Sequence, residues 1–179
     1  LMRNNFEYSK VAAQWAVTID ARFLYASSAA TYGALEETVS EDLPLASLRP
    51  LNAYAFSKHA FDLWAQKAGL LTRITGLKYF NVFGPNENHK ADMRSVVHKS
   101  FPQIRDTGKV LLFKSHRPEF HDGEQSRDFL YVKDAVAMTL HLADTRSANG
   151  IFNIGAGEAR TWIELVTPIF DALNLPVDI

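Results

Sequence analysis

The chain of 179 residues predicts an α/β fold, a parallel sheet flanked by helices, on three observations. Short apolar runs such as Arg22-Phe23-Leu24-Tyr25-Ala26-Ser27 alternate with segments whose apolar residues recur at three and four, so strands alternate with helices. The run from Ile74 to Phe83 alternates poorly between apolar and polar, as a strand covered on both faces does. Gly69 and Gly108 each stop a helical segment ahead of a strand-like run.

In chain order, Phe6 to Val17 reads as a helix, and Arg22 to Ser27 as a short buried strand by length and apolarity. Gly33 begins a polar loop that extends to Pro50. Asn52 caps a helix from Ala53 to Ala68, with Phe56, Ala60, Phe61 and Trp64 as its apolar positions. Ile74 to Phe83 is the second strand. After Pro85 a polar segment precedes a helix from Met93 to Asp106, and Val110 to Phe113 forms a short strand. Val132 to Ala143 is a helix with Lys133 and Asp134 in its first turn, and Ile151 to Ile154 a strand. Thr161-Trp162-Ile163-Glu164 matches a capping box that opens a last helix, after which Pro176-Val177-Asp178-Ile179 reads as the start of a strand. Phe6, Phe56, Trp64, Phe101, Trp162 and Phe170 are expected in the core.

Composition narrows the classes of function. A net charge of -1 carries no basic excess, which argues against a nucleic-acid partner. With 0 cysteines there are neither disulfides nor thiolate metal ligands. No apolar run approaches the roughly 18 residues of a membrane span and no stretch resembles a secretory signal, so a cytoplasmic setting is expected. His89 has no carboxylate or second histidine at metal spacing, and no metal is proposed.

The chemistry concentrates at Tyr54-Ala55-Phe56-Ser57-Lys58. A tyrosine and a lysine four apart on a helix share one face, so the ammonium can favour the phenolate and make a proton-transfer site. Ser28, at the end of the first strand, adds a hydroxyl for the same substrate oxygen. Sites in such sheets lie beyond the C-terminal ends of strands, where Asn81-Val82 also falls. Gly155-Ala156-Gly157 has Arg160 where a phosphate loop needs its third glycine, and is read as a turn.

Taken as an ordered series, Ser27-Ser28-Ala29-Ala30-Thr31-Tyr32-Gly33, Tyr54 to Lys58, Lys78-Tyr79-Phe80-Asn81-Val82-Phe83-Gly84-Pro85 and Arg127-Asp128-Phe129-Leu130-Tyr131-Val132-Lys133-Asp134 resembles the extended short-chain dehydrogenase/reductase family of nucleotide-sugar enzymes. Within it, Asn86-Glu87-Asn88-His89-Lys90 is most similar to the branch that epimerises C6 of ADP-linked heptoses. The resemblance implies a Rossmann-like sheet with part of a smaller substrate domain. Residues 1-85 would be the later part of the dinucleotide-binding domain, and residues 86-179 substrate-binding segments mixed with returning strands and helices. It also implies the middle and later part of a longer enzyme, without the first Gly-rich turn and the C-terminal end.

The roles it implies are specific. Tyr54 is the acid/base, Lys58 its activator and a ligand of the nicotinamide ribose, Ser28 a partner of the substrate oxygen, and Lys90 a second acid/base. Asn4, Lys58, Val82 and Lys90 would contact the cofactor, NADP with NAD open. Asn81, Phe113, Lys114, Ser115, His116 and Arg127 would join Ser28 in holding an ADP-sugar, Arg127 through the bidentate match of guanidinium to diphosphate. His121, Arg117, Glu119, Asp122 and Glu124 lie in the same polar stretch, whose mixed signs also suit a solvated loop. The family implies a homo-oligomer, a pentamer. A UDP-hexose 4-epimerase and a non-catalytic sugar-nucleotide-binding fragment stay open as alternatives. A 4,6-dehydratase is disfavoured because Ala29-Ala30-Thr31 follows Ser28 in place of an acidic pair.

Overall fold

A computed structural model describes residues 1-35, 39-116 and 118-179; Arg117 of the polar stretch lies outside the described residues. The helices are α1 (Ser9–Thr18), α2 (Ala53–Lys67), α3 (Val96–Thr107), α4 (Val132–Asp144) and α5 (Trp162–Ala172). The strands are β1 (Leu24–Ser28), β2 (Thr75–Tyr79), β3 (Asn81–Phe83), β4 (Ser126–Tyr131), β5 (Gly150–Ile154) and β6 (Ala159–Thr161). They divide between two compact units, one of Leu1–Phe80 with Val136–Ile154, the other of Asn81–Ala135 with Gly155–Ile179.

The first unit holds a parallel sheet in the order β1-β2-β5, flanked by helices in the Rossmann-like manner that the sequence predicts. Its main core joins Ala13 of α1, Tyr25 of β1, Phe61 and Ala65 of α2 and Ile74, so both helices close over the sheet. A π-helical turn over Arg3–Tyr8 leads into α1, together covering the helix expected from Phe6. A smaller cluster of Tyr32, Leu45 and Leu48 orders the polar loop, where a 3-10 turn forms at Leu45–Ser47. Gly33 is required there: its φ is 75°, and a β-carbon would lie 2.0 Å from the Arg49 carbonyl oxygen.

In the second unit β3 pairs parallel with β4, and β4 antiparallel with β6. Ile104, Val110, Val166 and Phe170 form its core between α3 and α5. The capping box of α5 is present: the Thr161 hydroxyl accepts the Glu164 N–H at 3.1 Å and the Glu164 carboxylate accepts the Thr161 N–H at 2.7 Å. Among the described residues no helix is long and apolar enough to cross a membrane.

Several expectations need correction. The strand read from Ile74 to Phe83 is two strands parted at Phe80, because β2 pairs with β1 and β5 whereas β3 pairs with β4. Val110 to Phe113 and the last four residues form no ladder: the Val110 N–H bonds the Asp178 carbonyl at 3.1 Å, and the Phe113 carbonyl accepts from Gly123 at 3.2 Å. The helix expected from Met93 starts at Val96, where Ser95 caps it by accepting the His98 N–H at 3.2 Å. Phe56 and Phe101 are 54% and 44% exposed. On α2 the inward positions are taken by the polar Ser57, His59 and Asp62 beside Ala55, Phe61 and Ala65, which turns Phe56 outward.

Candidate active site

Ser28 ends β1, and its hydroxyl caps the 3-10 turn that follows, accepting the Ala30 N–H at 3.2 Å. Asn52 opens α2 by accepting the Ala55 N–H at 2.8 Å, so Tyr54 stands in the first turn with its ring 44% exposed. One turn on, the Lys58 ammonium donates to the Ala26 carbonyl of β1 at 2.8 Å and lies 6.0 Å from the centre of the Tyr54 ring. The hydrogen bond anchors the lysine to the strand that carries Ser28. Burial pulls the Lys58 pKa below its ordinary value, and the negative charge of Asp62 opposes that fall.

Beneath this face lies a polar cluster that the motifs did not disclose. The fully buried Asp62 accepts from the Tyr25 hydroxyl at 3.0 Å, the Ser27 hydroxyl at 2.7 Å and the Lys78 ammonium at 3.0 Å. Lys78 also donates to the Thr31 hydroxyl, and Thr31 in turn donates to the Ser28 carbonyl at 2.8 Å. A continuous chain of hydrogen bonds thus runs from α2 through β2 to the turn that presents Ser28. Its sequence signals are faint: an aspartate four residues after Lys58, and one lysine inside an apolar run.

The neighbouring phenols are held protonated. Burial, then the charge and hydrogen bond of Asp62, raise Tyr25 well above the usual tyrosine range. Burial brings Tyr32 to about 12, although its 2.7 Å hydrogen bond to Asn153 acts the other way. Tyr54 is exposed to solvent, with the Lys58 ammonium near its ring. Asn4, in the same unit, sits exposed in the N-terminal π-helical turn.

The other expected site residues belong to the second unit. Asn81 donates to the Asp128 carbonyl at 3.0 Å, and Val82 is half-buried in β3. Lys90 lies in a 3-10 turn over Asn88–Met93, with its ammonium 3.3 Å from the buried Glu87 carboxylate. Phe113 is exposed with its ring 5.4 Å from that of Trp162; Lys114 and His116 are exposed; the Ser115 N–H bonds Asp122 at 2.7 Å. Arg127 is exposed and donates to the Ser126 carbonyl at 2.7 Å. Asp128 occupies the Gly155-Ala156-Gly157 turn, accepting the N–H groups of Ala156 and Gly157, both at 2.8 Å. Those amides already hold an anion, which agrees with reading the segment as a turn.

Residues 1–155 match the NAD dependent epimerase/dehydratase family. The chain is 49% identical over 175 residues to the ADP-L-glycero-D-manno-heptose-6-epimerase of Nitratidesulfovibrio vulgaris, covering 97% of this chain and 54% of that protein. It resembles the crystal structure of the Helicobacter pylori ADP-L-glycero-D-manno-heptose-6-epimerase with a TM-score of 0.85 at 28% identity, over 99% of this chain and 54% of that one. A UDP-N-acetylglucosamine 4-epimerase from Methanobrevibacter ruminantium gives 0.79 at 27% identity, over 99% and 55%. The chain spans about half the length of the curated relatives it matches.

Proposed function

Because the chain belongs to the NAD dependent epimerase/dehydratase family, we propose that its complete protein epimerises C6 of an ADP-linked heptose. The observation that carries the reading is the set of Ser28, Tyr54 and Lys58 in the first unit, with Lys58 fixed to β1 through the Ala26 carbonyl. The name of the relative at 49% identity supports the heptose and the ADP.

The cofactor we assign is NADP, which when bound supplies hydride removal and return. Lys58 fits such a group: among the described residues its ammonium makes one hydrogen bond, to Ala26, leaving N–H donors for ribose hydroxyls. Asn4, Val82 and Lys90 are the further residues we assign to it. As the C6 carbinol is oxidised, Tyr54 takes the hydroxyl proton, and Ser28 donates a hydrogen bond to the oxygen as it becomes a carbonyl. When the ketone is reduced from the opposite face, the oxygen is protonated by Lys90 in place of Tyr54. Asn81, Phe113 to His116 and Arg127 are assigned to the sugar nucleotide, with the Arg127 guanidinium on its diphosphate.

The test is C6 inversion of an ADP-heptose by the complete protein and by its Tyr54→Phe variant. The variant is expected to keep the cofactor and lose turnover, since the substitution removes a proton-transfer group and little else. Retention of more than about a tenth of wild-type turnover overturns the assignment, a loss of about tenfold being less than a positioned acid/base contributes.

A further inference from the structure

A single carboxylate closes the loop between β3 and α3. Glu87, 4% exposed, accepts four hydrogen bonds: from the Gly84 N–H at 3.2 Å, the Ser95 N–H at 2.8 Å, the Ser95 hydroxyl at 2.6 Å and the Lys90 ammonium at 3.3 Å. That fills the roughly four acceptor positions of a carboxylate. Gly84 and Ser95 mark the two ends of the loop, so the carboxylate clasps it and holds the lysine as its fourth partner.

The loop it clasps is strained on both sides of Lys90. Asn86 has φ 67°, and Ala91, directly after Lys90, has φ 46° with ψ -123°. Backbone of this kind costs about 1-3 kcal/mol per residue and persists where the surroundings over-determine it. Capping α3 does not need a buried charge, since the Ser95 hydroxyl already accepts the His98 N–H. Burying a carboxylate is costly unless it is fully bonded and paired, and its paired cation here is Lys90.

We propose that Glu87 is the positioning residue for Lys90, fixing its ammonium in the one placement from which it serves a single orientation of the substrate carbonyl. This rests on the reading of Lys90 as the second acid/base. Glu87 touches neither substrate nor cofactor and acts through the lysine.

The experiment uses the complete protein loaded with the reduced nicotinamide cofactor, which supplies the hydride, and a C6-carbonyl analogue of the sugar nucleotide, scoring the two alcohol configurations formed. Glu87→Gln keeps one acceptor oxygen and removes the charge. It should lower formation of the Lys90-dependent configuration by roughly ten- to a hundredfold in kcat with little change in KM, as misplacement of a reacting group does. The other configuration should hold its rate, and in a Lys90→Met background Glu87→Gln should cause no further loss. Equal loss of both configurations, or a full additional loss on top of Lys90→Met, means the carboxylate only braces the loop and overturns the proposal. Unchanged rates for both configurations overturn it as well. If Lys90→Met itself leaves both configurations at wild-type rates, the assignment of Lys90 fails first, an outcome distinct from the failure of Glu87.

Discussion

The Lys78 ammonium lies 3.0 Å from the Asp62 carboxylate with the two side chains 1% and 0% exposed, an ion pair removed from water directly beneath the helix that carries Tyr54 and Lys58. Such a pair stabilises little by itself, because desolvation offsets the attraction. Breaking it is another matter. Lys78→Met leaves a buried carboxylate uncompensated and should cost about 3-5 kcal/mol, measured by urea unfolding. Pairing it with Asp62→Asn should recover much of that loss. If Lys78→Met alone costs under about 1 kcal/mol, as an exposed pair would, the ion pair has no structural weight.

The same carboxylate bears on Lys58. Burial lowers the Lys58 pKa and Asp62 opposes the fall, so the ammonium loses its proton at lower pH than an ordinary lysine, and earlier still without Asp62. A step that needs the charged lysine is complete below that pKa and fades as pH rises through it. Asp62→Asn should therefore move the alkaline limb of kcat/KM to lower pH, with rates normalised to folded protein. A limb that stays in place would show that another group titrates there.

Much of the architecture could be read from the sequence because its causes are local. Asn52 before α2, Thr161 and Glu164 at α5 and the glycines after α2 and α3 act through bonds within a few residues, and each terminus falls where these signals put it. The placing of Tyr54 and Lys58 one turn apart on α2 was legible for the same reason, their four-residue spacing. What escaped was decided at a distance. Nothing within residues 74-83 announces that the two halves find different partners, and Val110 to Phe113 has strand-like residues but no strand beside it. Phe56 was expected inside because apolar spacing ignores buried polar groups, and the inward face of α2 belongs to Ser57, His59 and Asp62. Glu87 was hidden similarly, since its importance lies in folding back on Gly84 and Ser95.

Glu87 also makes a prediction about acid stability. Burial pushes its carboxyl up, but hydrogen bonds from the Ser95 hydroxyl and N–H, the Gly84 N–H and Lys90 outweigh this and bring its pKa to about 2, against an ordinary 4.5. A carboxyl depressed by folding contributes stability that is fully present above the unfolded value and lost as pH falls through the folded one. The stabilisation should therefore decline between about 4.5 and about 2, and Glu87→Gln should flatten that part of the stability-pH curve. Equal slopes for the variant and the wild type over that window would mean that the clasp is not made in solution.

Ser28 tests the chain of hydrogen bonds that ends on it. Ser28→Ala should lower turnover by roughly 10- to 1000-fold through loss of a donor to the reacting oxygen, with modest effect on folding. Thr31→Val removes the link from Lys78 to the Ser28 carbonyl while leaving the Ser28 hydroxyl in place, and should give a smaller loss in the same parameter. A larger loss from Thr31→Val than from Ser28→Ala would show that the turn matters through its backbone and not through the serine hydroxyl.

The stereochemistry of inversion separates one shared base from two. An epimerase that removes hydride from one face of C6 and returns it to the other must take a proton from the oxygen in one orientation and give one to it in the other. If Tyr54 serves one and Lys90 the other, each variant retains what the other loses. Lys90→Met should block inversion but, in protein loaded with reduced nicotinamide cofactor as the hydride source, keep reduction of a C6-carbonyl analogue to one configuration, and Tyr54→Phe should spare the opposite one. No single base produces that complementarity, because its removal depresses both configurations together. Reduction to each configuration by the two variants, followed by NMR of the products, decides the point. Loss of the same configuration in both variants would make Lys90 a loop lysine paired with Glu87 and return proton transfer to Tyr54 alone, the pattern expected of a 4-epimerase-like site.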